Sequence, residues 1–116
     1  MPETRAQDDQ TTVAELRQVV QSFVAERNWQ CFHTPKNLAT SVAIEAGELM
    51  EHFQWLTPEE SLQLRKSPEK KAAIAEELSD VMAYLLSLAN ALEIDVAASF
   101  VAKMEKNRAK YPAPME

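Results

Sequence analysis

The sequence predicts an all-α fold, an antiparallel four-helix bundle whose copies assemble into an oligomer. One glycine in 116 residues is too few for a β-rich chain, which needs many tight turns. Alanine, leucine, glutamate and five methionines favour helices instead. Four long segments with helical apolar periodicity are joined by short links, and helices joined in this way pack as an antiparallel bundle.

Capping residues predict where the first two helices begin. Thr12 and Glu15 form a capping-box pattern that opens a first helix, which should end near Asn28. Thr34 precedes a proline, and this pair predicts the start of a second helix over about 35–53. Gly47 in the middle of this helix has two explanations: drift on an exposed face, or close approach of a partner helix or ligand.

Capping residues predict the starts of three further helices in the same way. A short helix is expected over about 58–66, a long one over about 68–92 and a last one over about 96–110. Their capping residues are Thr57, Ser67 and Asp95. The domain limits expected from this pattern are a disordered arm over 1–10, one helical domain over 11–112 and a short tail over 113–116.

The apolar pattern of the long helix over 68–92 predicts self-association. It is apolar over much of its circumference beyond Val81, through Met82, Leu85, Leu86, Leu88 and Ala89. A small bundle cannot bury so wide an apolar surface alone. We therefore expect a homo-oligomer, at least a dimer, with this helix or the last helix at the interface.

Charge and cysteine content exclude several classes of protein. The net charge of −6 disfavours binding to polymeric nucleic acid. A single cysteine cannot form an internal disulfide, which suits a reducing compartment. The polar N-terminus lacks the apolar core of a signal peptide, and the longest apolar stretch, 81–92, is too short to span a membrane. We expect a cytoplasmic protein without a membrane partner.

Two pairs of carboxylates predict a metal site. Glu45 and Glu48 are three residues apart, so they share one face of a helix, and Glu77 and Asp80 do the same on another. Each pair lies on a mostly apolar stripe and has no Lys or Arg one turn away, so the carboxylates should face inward without a neutralising partner. A hard divalent cation, Mg²⁺ or Mn²⁺ as a substitute, would neutralise them.

The alternative is that these pairs are ordinary solvated side chains. Acidic residues number 18 of 116, so such spacings also arise by chance. Two pairs on apolar stripes of long helices favour the metal site over this alternative. Glu51 or Glu76 is a candidate fifth carboxylate, as a base or a group behind the ligands, although ordinary solvation explains each of them as well.

Aromatic and basic residues extend the predicted site. Trp29 and His33 precede the second helix, Trp55 follows it, and Tyr84 lies one turn beyond Asp80. Such rings suit stacking on a nucleobase, although aromatic residues at helix ends also commonly cover a hydrophobic core.

Three basic side chains are candidates for contacts with phosphate: Lys36, Lys103 and Arg108. Lys36 begins the second helix, and the others lie in the C-terminal half of the last helix, where the helix dipole alone also favours cations. The chain has no Walker, dinucleotide-binding, C-x-x-C or G-x-S-x-G motif, which argues against those classes of site.

Together these motifs resemble the all-α, MazG-like nucleoside triphosphate pyrophosphohydrolases, most closely their dCTP pyrophosphatase branch. The acidic spacing is Glu45-x-x-Glu48, 28 intervening residues, then Glu77-x-x-Asp80. The other similar stretches are RNWQCFHTPKNL (27–38), FQW (53–55), EELSDV (76–81) and KMEKNRAKYP (103–112). The resemblance covers about residues 12–112.

The resemblance implies a function and a set of roles. The four carboxylates would ligate Mg²⁺, and a nucleoside triphosphate, by preference dCTP or a modified dCTP, would be cleaved to monophosphate and pyrophosphate. Trp29, His33, Trp55 and Tyr84 would form a base pocket, with Lys103 and Asn107 near the phosphates or sugar. Members of this family are dimers or tetramers that cleanse the nucleotide pool. Two alternatives stay open: a phosphoribosyl-ATP pyrophosphohydrolase, and a non-catalytic helical module with an acidic binding face.

Overall fold

The computed structural model describes residues 6–114, and all regular structure in this range is helical. The helices are α1 (Val13–Glu26), α2 (Pro35–Glu51), α3 (Pro58–Gln63), α4 (Pro68–Leu92) and α5 (Val96–Lys110), with short 3₁₀ turns at Gln30–Phe32 and Leu64–Lys66. The all-α prediction is confirmed. The expected arm and tail fall partly on residues 1–5 and 115–116, outside the described range, so the domain limits stay predictions.

The predicted caps are present at all five helix starts. The Thr12 hydroxyl accepts a hydrogen bond from the Glu15 backbone N–H at 3.1 Å, and the Glu15 carboxylate accepts one from the Thr12 N–H at 2.7 Å. Each of the other starts also has a side-chain oxygen that accepts a backbone N–H three residues on; these residues are Thr34, Thr57, Ser67 and Asp95. These bonds satisfy N–H groups that have no partner inside the helix.

Two helices end on a residue in the left-handed conformation. After α1, Asn28 has φ 55°, and the N–H of Trp29 donates to the Val24 carbonyl at 3.0 Å. After α4, Glu93 has φ 56°, and the N–H of Ile94 donates to the Ala89 carbonyl at 2.9 Å. This is the Schellman pattern, which satisfies the last carbonyls of a helix. It ends α1 at Glu26, slightly earlier than the predicted Asn28.

Helix α4 is the centre of the fold. It packs along α2 and, over a smaller surface, against α1. The most deeply buried apolar side chains come from these three helices: Val24, Leu38, Leu86 and Ala89, with Leu38 only 1% exposed. At its C-terminal end α4 is also tied to α1 through Arg17, whose Nε donates to Asn90 Oδ1 at 2.8 Å and whose Nη1 donates to the Ile94 carbonyl at 2.6 Å.

Helix α5 turns away from the other helices. Its axis makes an angle of 102° with that of α4, and none of its residues is buried. Phe100 on α5 is 65% exposed. The radius of gyration of 17.0 Å exceeds the roughly 13 Å of a compact 100-residue domain. One chain therefore packs three long helices together, and the four-helix bundle stays a prediction.

Within residues 6–114 no single helix is long and apolar enough to cross a membrane, while α4 and α5 meet that test as a bent pair.

Candidate functional site

The two acidic pairs meet where α2 packs on α4. Glu45, Glu48 and Glu77 each place a carboxylate oxygen within 4.8 Å of the others. Asp80 lies close enough for its negative charge to act on Glu45. We call these four residues the acidic cluster. The ion pairs in the described range, Arg27–Glu26 and Arg108–Glu105, do not involve it.

The acidic cluster is only half-buried. Glu45 and Glu77 are partly buried, whereas Glu48 and Asp80 are exposed. The expectation that all four carboxylates face inward is therefore corrected: the cluster lies at a rim, where two of its members stay in contact with water and avoid the cost of burying a charge.

A hydrogen bond and the crowding of carboxylates raise the proton affinity of Glu45 in the acidic cluster. The pKa of Glu45 is raised to about 7, first by a hydrogen bond with the Glu48 side chain, then by loss of solvent and by the charges of Glu48, Asp80 and Glu77. Glu77 Oε2 is buried without a hydrogen-bond partner among the described residues. Crowded carboxylate oxygens with one buried acceptor unpaired fit a hard divalent cation.

A cavity of about 520 Å³ opens beside the acidic cluster, between α1 and α4. Glu45 and Asp80 lie on its wall, so the cluster and the cavity form one site. The other lining residues are Val19, Val20, Phe23, Val24, Trp29, His33, Ala83, Tyr84 and Ser87. The four α1 residues, Ala83 and Ser87 are absent from the residues that the sequence predicts for the site. The α1 residues have an apolar periodicity, but periodicity alone does not distinguish a cavity wall from a core.

Three of the predicted aromatic residues lie side by side in this cavity. The ring centroids of Trp29 and His33 are 6.4 Å apart with planes at 25°, and those of His33 and Tyr84 are 6.3 Å apart with planes at 33°. Phe23 meets the edge of Trp29 at 5.7 Å. The Nδ1 atom of His33 is buried and has no hydrogen-bond partner within residues 6–114. The row of rings provides flat apolar faces next to the carboxylates.

The remaining predicted site residues lie outside the cavity in a single chain. Trp55, in the turn after α2, is 87% exposed, and Lys36 is exposed in the first turn of α2. Lys103, Asn107 and Arg108 lie on α5, where the Asn107 amide donates to Met104 Sδ and Arg108 pairs with Glu105. Their roles stay predictions.

The geometry defines an all-helical protein with a candidate divalent-cation site at the mouth of an aromatic cavity. A family model described as the MazG-like family matches residues 40–116, and the chain belongs to this family. The resemblance seen in the sequence is thereby confirmed.

Named relatives agree with this assignment. The chain is 43% identical over 102 residues to dCTP pyrophosphatase 1 of Homo sapiens and 42% identical over 101 residues to that of Bos taurus. These matches cover 88% and 87% of this chain, but the chain spans only 60% of the length of either relative. The crystal structure of a pyrophosphatase from Archaeoglobus fulgidus DSM 4304 is 40% identical, with a TM-score of 0.77 over 86% of this chain and 92% of that one.

Proposed function

We propose that the protein is a Mg²⁺-dependent nucleoside triphosphate pyrophosphohydrolase that cleaves a dNTP, preferentially dCTP or a modified dCTP, to dNMP and pyrophosphate. The observation that carries the proposal is the acidic cluster on the wall of an aromatic cavity. The relatives named dCTP pyrophosphatase 1 support both the reaction and the base. The role of such an enzyme is to cleanse the cytoplasmic nucleotide pool.

The acidic cluster is proposed to hold the metal. Glu45, Glu48, Glu77 and Asp80 supply only carboxylate oxygens, which suit Mg²⁺, with Mn²⁺ as a substitute. A bound divalent ion neutralises phosphate oxygens and polarises the bond that breaks. A carboxylate of the cluster accepts the proton of the water that attacks the α-phosphorus, and pyrophosphate leaves.

The cavity is proposed to hold the nucleoside. Trp29, His33 and Tyr84 offer ring faces on which a base stacks, and base–aromatic stacking contributes about 1–3 kcal/mol per base. The apolar α1 wall excludes water from the other side of the base. With the base held there, the phosphates extend toward Glu45 and Asp80.

A homodimer or homotetramer is proposed to complete the site. Large apolar side chains on α4 and α5 are exposed in one chain: Leu78, Met82, Leu85, Phe100, Val101 and Met104. A second copy packed on this surface would bury it and supply the fourth helix of the bundle. The same contact would bring Trp55 toward a base, and Lys36, Lys103, Asn107 and Arg108 toward phosphates.

Hydrolysis of a panel of dNTPs and NTPs with Mg²⁺, resolved by ³¹P NMR, tests the reaction. We expect monophosphate and pyrophosphate as products, with dCTP or a modified dCTP fastest. Glu45→Gln and Asp80→Asn should abolish turnover, whereas Glu69→Gln, an exposed carboxylate in the first turn of the same helix as Asp80, should keep it. Full activity in the first two variants would refute the metal assignment, and release of inorganic phosphate would refute the cleavage position.

Two further measurements test the oligomer. Light scattering should give the mass of a dimer or tetramer, and Trp55→Ala should raise KM for the nucleotide. A monomeric mass in active enzyme, or an unchanged KM, would contradict the proposal that a second copy completes the site.

A further inference from the structure

Ser87 is a buried polar residue that the proposed reaction leaves without a role. It lies on α4, is 7% exposed, and is the polar residue among the buried side chains of the described range. Its hydroxyl has no hydrogen bond within residues 6–114, unlike that of Ser79 on the same helix, which donates to the Ala75 carbonyl at 2.7 Å. Because Ser87 lines a cavity, a ligand there can supply the partner that the protein does not.

Ser87 lines two neighbouring cavities. It lines the cavity beside the acidic cluster and also a second cavity of about 330 Å³. His33 lines both cavities with it. Around the Ser87 hydroxyl the walls of the first cavity are apolar, through Val20, Phe23 and Ala83. A hydroxyl without a protein partner within apolar walls marks a point where a ligand can present a polar edge.

The position of Ser87 along α4 relates it to the acidic cluster. Asp80, Tyr84 and Ser87 are spaced by four and three residues, so they lie on one face of the helix. At 1.5 Å per residue, Ser87 is about 10 Å further along the helix axis than Asp80. A nucleotide with its phosphates at Asp80 and its base on Tyr84 therefore directs the far edge of the base toward Ser87.

We infer that Ser87 is a substrate-binding residue whose hydroxyl binds the exocyclic group at ring position 4 of a pyrimidine base. This position lies opposite the sugar on the ring. A hydroxyl accepts a hydrogen bond from the amino group of cytosine and donates one to the carbonyl of uracil or thymine. The inference rests on the proposed function, because it requires a nucleotide in the cavity.

Hydrolysis of two substrates by wild type and Ser87→Ala tests the inference. One substrate is dCTP, and the other is the triphosphate of the 2-pyrimidinone deoxynucleoside, in which hydrogen replaces the amino group at position 4. Wild type should prefer dCTP in kcat/KM by about 2- to 10-fold, the value of one hydrogen bond, and mainly through KM. In Ser87→Ala the preference should disappear, since neither substrate then has a partner.

Ser79→Ala is the matched control, because its hydroxyl is exposed and bonded to its own helix. It should keep the wild-type preference for dCTP. Ser87→Ala should fold as wild type does, since alanine favours helices and the hydroxyl loses no bond, and its melting temperature without nucleotide should not fall.

Each contrary result has a distinct meaning. Hydrolysis of both substrates with equal kcat/KM by wild type, a preference for purines, or an unchanged preference in Ser87→Ala would overturn the role of Ser87 and leave the proposed reaction standing. A lower melting temperature for Ser87→Ala would show that the hydroxyl has a partner in the protein, which also overturns the inference. No turnover of any nucleotide by folded, Mg²⁺-loaded wild type would overturn both.

Discussion

Protons should compete with the proposed divalent cation for the acidic cluster, because a carboxylate that carries a proton is a poor metal ligand. The hydrogen bond with Glu48, the loss of solvent and three neighbouring negative charges raise the pKa of Glu45 to about 7. Ordinary carboxylates with pKa values near 4 are ionised throughout the range from pH 6 to pH 8. A pH dependence of cation binding within this range that is lost in Glu45→Gln therefore reports on Glu45.

The expected size of the effect follows from that pKa. With a pKa of about 7, Glu45 is ionised in roughly 9% of molecules at pH 6 and roughly 91% at pH 8. The apparent affinity for Mg²⁺ or Mn²⁺ should therefore rise about tenfold from pH 6 to pH 8. Near pH 7, binding should release about half a proton for each protein molecule, since half of the Glu45 side chains are protonated before the cation arrives.

Isothermal titration calorimetry measures both quantities. Titrations in buffers with different heats of ionisation give the number of protons released, and titrations at pH 6 and pH 8 give the ratio of affinities. Glu45→Gln should bind the cation more weakly, without the pH dependence. Glu76→Gln, an exposed carboxylate outside the acidic cluster, should retain it. Affinities that agree within about twofold at the two pH values, with no proton release, would refute the assignment of Glu45 as a protonated ligand.

The same pKa predicts the pH dependence of stability in the absence of metal. The folded carboxyl of Glu45 titrates near pH 7 and the unfolded one near 4.5, so the folded state binds more protons between these values. The free energy of unfolding should therefore fall as the pH rises through this window and level off above it. Thermal unfolding in EDTA should show a steeper fall for wild type than for Glu45→Gln, and equal slopes would contradict the shifted pKa.

Three further predictions concern stability, each measured by denaturant unfolding. A Cβ at Gly47 has no other atom within 4 Å, so Gly47→Ala should stabilise the chain by about 0.5–1 kcal/mol, and a loss of stability would support close approach of a second copy or ligand instead. Glu93 has φ 56°, so Glu93→Gly should stabilise by about 1 kcal/mol, and destabilisation would show that its side chain is needed. Arg17→Ala removes two hydrogen bonds from α1 to residues at the end of α4 and should destabilise the chain by about 1–3 kcal/mol. The control is Gln18→Ala on the exposed side of α1, which should change stability little.

Helix starts could be predicted from the sequence because the forces that set them act locally. Thr12, Thr34 and Asp95 each accept a backbone N–H three residues away, and this contact depends on no other part of the chain. The shared face of Glu45 and Glu48 could also be predicted, because their spacing of three residues places both on one side of the helix whatever that helix packs against. The prediction that the two acidic pairs meet needed one further assumption, that the apolar stripes of their two helices pack against each other.

Features that depend on tertiary packing could not be predicted in this way. Helix α5 follows a link of three residues and buries none of its own residues, so the sequence pattern of a bundle did not reveal the 102° turn. Val20 and Phe23 have the same apolar periodicity in a core as in a cavity wall. Ser87 is a small polar residue within an apolar run, and only its burial without a partner distinguishes it.

The segment of α4 from Glu77 to Ser87 joins the proposed cation end of the site to the proposed base end within one uninterrupted helix. Each residue inserted into or deleted from this segment would rotate everything beyond it by about 100° around the helix axis. Tyr84 and Ser87 would then leave the cavity while Glu77 stayed in place. Variation in substrate among proteins built on this helix should therefore arise by exchange of side chains at fixed positions, whereas changes in chain length should be confined to the links between helices.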